Sequence, residues 1–328
     1  MRAKVLCGWA AVASLLFFTA PASSADIPTI RIGWTVPAEE AKWLIMKRPE
    51  LFKNVNKTYK VEFFQYQGTA PIAQALVAKA ADCGTQSPIS FAQAVGEGDF
   101  QGYILGSLAQ EKAGYFSVFW GALDSSPIHN AQDLKGKTIA STAFNSGIYF
   151  YLLEWLKKAG LDPAKDVKLV EIPFPQVEDQ LRAGRIAAGP FAQPFASRAF
   201  EKGGIHKVFE MSELLSPLTD TFEACGKDFT DKNTQAVKDY MEDFKQATIY
   251  AIAHPEDAKK VTSEVTKIDY ATLDKYLMTK QDFYRDPVGT PDFHSIQITL
   301  DLFTKAGYIK KPLKATDYER LDLSPSAN

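Results

Sequence analysis

The chain has 328 residues, 46% apolar and 23% charged, with 37 basic and 39 acidic side chains for a net charge of −2. That composition excludes a disordered or fibrous chain, and the near-neutral balance gives no reason to expect nucleic acid or an acidic membrane surface as partner. The length suits two hydrophobic cores of ordinary size.

In chain order, Arg2 and Lys4 form a short positive start, residues 5–20 are mostly apolar, and Pro21 precedes Ala22-Ser23-Ser24-Ala25. This is the layout of a secretory signal peptide, with cleavage expected between Ala25 and Asp26. The apolar run falls short of the roughly 20 residues that a membrane span requires. Cys7 lies too early to become the lipidated first residue of a mature lipoprotein, and Asp26 stands where that cysteine would be. The expected product is therefore free in a periplasm-like space. Removing residues 1–25 leaves 303 residues, and the loss of Arg2 and Lys4 takes the charge from −2 to −4.

The mature chain alternates strands and helices. Residues 29–34 (TIRIGW) read as a strand, 39–53 as a helix, 59–66 as a strand and 70–80 as a helix with Ile72, Leu76 and Val77 on one face. A strand at 83–88, a helix at 89–95 and a strand at 101–108 follow. The same pattern resumes with strands at 115–120 and 138–141, and a long helix from Asn145-Ser146-Gly147 to a glycine stop at Gly160. Beyond it come a strand at 167–172, a helix at 177–183, a strand at 187–191, a helix at 196–202 and a short strand at 207–209. The strand-like run 221–225 opens a mainly helical tail, with helices at 233–254 and from about Ala271 and Ser295. The succession predicts an α/β protein of two lobes, each a mainly parallel sheet flanked by helices. Helices with no strand of their own must pack on an existing sheet. Residues 26–114 and 223–328 are therefore expected to form the first lobe and 115–222 the second, with hinge crossovers near 112–116 and 218–224. Cys83 and Cys225 lie in strand-like segments. Export permits a disulfide, but a chain this long does not need one, and the pair reads as two buried thiols.

Three segments suit a ligand. Gly68 and Thr69 lie between a strand end and a helix start, where backbone N–H groups and the helix dipole favour an anion, and an N-cap by Thr69 would also explain them. Gln86 and Ser87 occupy the equivalent place after the next strand. Asn145 and Ser146 repeat the first arrangement in the second lobe. All three fall at the carboxyl ends of strands, where open α/β sheets bind ligands. No G-x-S-x-G elbow, P-loop or G-x-G-x-x-G is present, and the four histidines (His129, His206, His254, His294) lack ligand spacing. No catalytic residue, metal or cofactor is implied.

The run Gln67-Gly-Thr-Ala-Pro-Ile-Ala-Gln-Ala-Leu76 with Cys83-Gly-Thr-Gln-Ser-Pro-Ile-Ser90, then Leu134-Lys-Gly-Lys-Thr-Ile-Ala140 and Leu181-Arg-Ala-Gly-Arg-Ile-Ala-Ala-Gly-Pro-Phe-Ala-Gln-Pro194, resembles the substrate-binding proteins of ABC transporters of the nitrate/sulfonate/taurine class. The resemblance implies a two-lobed periplasmic fold that closes on a small organic anion and docks on a membrane permease, and a monomer is the simplest expectation. It implies ligand contacts from Trp34, Thr35, Gly68, Thr69, Gln86, Ser87, Asn145, Ser146, Gln193, Thr221 and Phe222. Gln193 stands where many relatives have tryptophan or an acid, and Arg185-Ile186-Ala187 lacks a usual acidic residue, whereas Asp82 is present. Trp34, Phe144, Phe191 and Phe222 together would suit an aromatic acid. A compact sulfonate fits equally, and taurine would need a carboxylate for its ammonium from Glu39, Glu40, Asp220 or Glu223. The rival readings are a sensor module and an enzyme of the same fold making pyrimidine or menaquinone precursors.

Overall fold

The computed structural model describes residues 27–36 and 40–326. The expected leader, residues 1–25, and Glu39 lie outside them, as does the side chain of Glu40. The first lobe begins with β1 (Thr29–Trp34), α1 (Glu40–Lys47), β2 (Lys60–Gln65), α2 (Thr69–Val77), β3 (Cys83–Gln86), α3 (Pro88–Glu97) and β4 (Gly102–Glu111). The chain then enters the second lobe with β5 (Phe119–Leu123), β6 (Thr138–Ser141), α4 (Gly147–Lys158) and β7 (Lys168–Glu171). The lobe is completed by α5 (Phe174–Arg182), β8 (Gly189–Phe191), α6 (Phe195–Lys202) and β9 (Ile205–Glu210). It returns through β10 (Leu218–Gly226) and ends with α7 (Lys227–Lys232), α8 (Thr234–Ala253), α9 (Pro255–Thr266), α10 (Tyr270–Asp274) and α11 (Phe293–Lys305).

The first sheet has the order β2-β1-β3-β10-β4. Strands β2, β1 and β3 are parallel, but β10 is antiparallel to both β3 and β4. The second lobe holds the antiparallel set β8-β5-β9 and the parallel pair β6-β7, linked by a bridge between Ile139 and Ala188. The α/β architecture is the expected one, with sheets more mixed than expected. The reason is topological: β4 carries the chain out of the first lobe and β10 carries it back, so the two run in opposite directions side by side.

Patterning accounts for most elements. In β1, Ile30 and Ile32 are buried while Arg31 between them is half-exposed and bonds Asp82 through both carboxylate oxygens. The helix expected to end at 254 does so because Pro255 takes the first position of α9, where its missing N–H costs nothing. Helices α8 and α9, the latter not anticipated, cover α1, with Trp43, Leu44, Tyr240 and Phe244 in one core. The strand expected at 115–120 forms later, at Phe119–Leu123. The segment before it is a crossover held by buried Glu111, which accepts hydrogen bonds from Ser117 Oγ and, at 3.0 Å, from Val118 N. Helix α11 packs on α3 and β10, and its Phe303 reaches the second lobe, 5.0 Å from the ring of Tyr151 on α4.

Two buried features fix β10 in the first sheet. The expectation of two buried thiols is corrected, because Cys83 and Cys225 form a disulfide. The antiparallel register of β3 and β10 sets these residues directly opposite, with Cα atoms 4.0 Å apart. Beside them, fully buried Lys42 places Nζ 2.6 Å from Glu223 Oε2 and donates to Thr85 Oγ1 at 2.6 Å, while Tyr240 donates to Glu223 Oε1 at 3.0 Å. Burial pushes the Glu223 carboxyl up, and the Lys42 cation opposes that shift.

Candidate functional site

A cavity of about 130 Å³ lies between the lobes. For scale, a cavity of about 150 Å³ holds benzene. Five helix starts surround it: Gly68 and Thr69 of α2, Ser87 before α3, Ser146 to Ile148 of α4, Pro173 to Pro175 of α5, and Phe195 of α6. The lobes approach closely here. A methyl group built on Gly68 would lie 3.4 Å from Ala143 Cβ, and one on Gly147 would lie 3.2 Å from Ser87 Cβ. Gly68 also has φ of +117°, so a side chain at that position meets both the opposite lobe and a strained backbone.

The helix starts differ in what they leave open. Ser87 caps α3 by accepting from Ser90 N at 3.3 Å, in a box completed by the Ser90 hydroxyl. Neither α2 nor α4 has a side-chain cap. Thr69 Oγ1 meets Ser87 Oγ at 3.2 Å, and Ser146 Oγ donates to Ala143 O at 2.6 Å. Helices α2 and α4 therefore present first-turn N–H groups at the cavity without a side chain competing for them. Thr35 supports the same turn, accepting from Gly68 N at 3.1 Å.

Of the residues singled out in the sequence, Thr35, Gly68, Thr69, Ser87, Ser146 and Thr221 meet around this cavity. The other five do not line it. Trp34 points into the first-lobe core, its ring edge-on to Trp43 at 5.8 Å. Gln86 is fully buried, donating to Thr85 O and Thr69 O and accepting from Ser90. Asn145 is exposed, in a left-handed turn (φ 63°) leading into α4. Gln193 donates to Gln281 O at 2.9 Å and accepts from Ser197 N, which joins α6 to the C-terminal segment. Phe222 is buried against Phe91. The aromatic lining expected from Trp34, Phe144, Phe191 and Phe222 is likewise absent from the cavity: Phe191 stacks on Phe119 in the core, and Phe144 lies exposed against Tyr149. Tyr66, Phe174 and Phe195 supply the rings instead, with Val36 and Ile148 as apolar neighbours. The prolines at 173 and 175 are the sequence signal for that α5 start.

The electrostatics are lopsided. Among the described residues no lysine, arginine or histidine lines the cavity, and Asp220 is the one carboxyl group on its lining. Of the four carboxylates considered for an ammonium group, Glu223 is engaged by Lys42, and Glu39 and the Glu40 side chain lie outside the described residues. Burial pushes the Asp220 carboxyl up to about 7. Glu111, at the end of β4, is also pushed up, first by burial and then by the charge of Asp220. The hydroxyl of Thr221, beside Asp220, is buried with no hydrogen-bond partner among the described residues. As for metals, Cys83, Cys225 and Glu223 lie together, but their sulfurs are spent on each other.

The model of the NMT1-like family matches residues 23–266. The chain belongs to the NMT1-like family. No curated protein matches it. Among solved structures, this family member is similar to the alkanesulfonate-binding protein SsuA from Xanthomonas axonopodis pv. citri bound to MOPS, at 19% identity and a TM-score of 0.73, over 89% of this chain and 98% of that one. It is similar to the periplasmic aliphatic sulphonate-binding protein SsuA from Escherichia coli at 19% identity and a TM-score of 0.70, over 90% and 98%. It is also similar to the periplasmic nitrate-binding protein NrtA from Synechocystis PCC 6803 at 14% identity and a TM-score of 0.72, over 90% and 87%. These likenesses make the fold that of periplasmic binding proteins. Among the described residues no helix is long and apolar enough to cross a membrane.

Proposed function

We propose that this protein is the periplasmic solute-binding component of an ABC importer, exported by its leader, which closes its two lobes on a small organic anion and delivers it to a membrane permease. The observation that carries this reading is the pair of uncapped helix starts, α2 and α4, facing one cavity from opposite lobes. An oxyanion held there takes backbone N–H groups that otherwise need water, and it bridges the lobes. Hinge motion then falls on the crossovers after β4 and before β10. The lobe boundaries proposed are residues 26–114 with 223–328, and 115–222. No catalytic cycle is proposed.

The test is a thermal-shift panel on the protein expressed with its own leader and purified from the periplasm. It contains alkyl- and arylsulfonates, taurine, nitrate, aromatic carboxylates and pyrimidines. A solute at 100 times its Kd adds about 2.7 kcal/mol, a shift of several degrees in a protein of this size. Stabilisation by one class of anion supports the reading, and stabilisation by none overturns it.

A further inference from the structure

We infer that Asp220 selects the solute: the cleft takes a bipolar ligand, with an oxyanion on the α2 and α4 starts and a protonated amine or similar N–H donor on Asp220. The inference rests on the cleft reading above and names the class of solute within it.

A simple anion leaves Asp220 unexplained. Among the described residues it is the one carboxyl on a lining without a cation, and none of them gives it a hydrogen bond or an ion pair. A carboxyl shielded from bulk water without a donor costs stability, so a half-buried one that the chain leaves unsatisfied takes its donor from outside the chain, from water or a ligand. A positive charge at Asp220 also relieves its opposition to Glu111 on the neighbouring strand. The adjacent Thr221, on the same lining, likewise has a hydroxyl that is buried with no hydrogen-bond partner among the described residues. The lining also holds Val36, Ile148, Phe174 and Phe195, which suits a short apolar or flat body. The cavity size limits that body to a few carbons or one ring.

The experiment is calorimetric titration at pH 8 with matched pairs: taurine against propanesulfonate, and 4-(aminomethyl)benzoate against 4-ethylbenzoate. The amino member of at least one pair is expected to bind ten times more tightly or better. In Asp220→Asn that preference falls to threefold or less, while the amine-free acid keeps or gains affinity. Equal binding within both pairs, or a preference that survives Asp220→Asn, overturns the inference and leaves the cleft reading standing. Binding of none of the four, in a protein that the wider panel also fails to stabilise, overturns both.

Discussion

Strand β10 carries two acidic residues three positions apart, and the fold treats them in opposite ways. Glu223 sits in the first-lobe core, where Lys42 and Tyr240 satisfy both its oxygens, and the disulfide at Cys225 locks the same stretch of strand. Asp220, beyond a register shift next to Thr221, lies on the interlobe cavity with no partner among the described residues. Both are pushed up by burial, so burial alone does not separate a structural carboxyl from a ligand-facing one. What separates them is whether the chain itself brings a donor.

The largest expected effect breaks the satisfied end. Glu223→Ala leaves the Lys42 ammonium buried without its counter-charge, and should cost about 3–5 kcal/mol in chemical denaturation. Replacing Lys42 and Glu223 together by apolar residues should cost less than Glu223→Ala alone. A double variant at least as unstable as the single one would show that the pair is not the source of the loss. The next effect falls on the open end. Ser146→Trp fills the cavity at the α4 start and should reduce affinity for any solute by at least a hundredfold, with an unchanged unfolding midpoint in the absence of solute. Wild-type affinity would remove Ser146 from the site.

The smallest effect sharpens the comparison through pH. Asp220 binds its proton more tightly in the folded protein than in the unfolded chain. Its stabilising contribution is therefore full below about pH 4 and is lost as pH rises towards 7, and Glu111 acts with the same sign. Asp220→Asn removes this loss. The variant should melt about 1–2 °C above the parent at pH 8, about 1 kcal/mol, with the difference shrinking towards pH 4. A variant that melts lower at pH 8 would show that Asp220 has a partner in the unliganded protein.

Strand and helix order was legible because hydrophobic periodicity is local, as 29–34 and 138–141 show, both matching to the residue. The helix starts at Gly68, Ser87 and Ser146 were legible too, because a strand end followed by a cap residue marks the rim of an α/β sheet. Side-chain direction at strand ends was not. Trp34 and Phe222 turn into the core while Thr35 and Thr221, one residue away, turn to the cavity. That choice depends on strand pairing and on the irregular register of β4 and β10. Gln86 and Gln193 are amides of a type that ligand sites use, but nearby backbone groups consume them. The disulfide was missed because its proof lies in the register of two strands 142 residues apart in sequence.

That covalent link sets how the molecule comes apart. The chain from Cys83 to Cys225 leaves the first sheet, builds the second lobe and comes back, so the disulfide turns this excursion into a closed ring. A protease that cuts once within the ring leaves two fragments that migrate as a single species until a reductant is added. One cut before Cys83 or after Cys225 releases a fragment at once. Paired gels with and without reductant would thus place a nick inside or outside the ring before any fragment is sequenced.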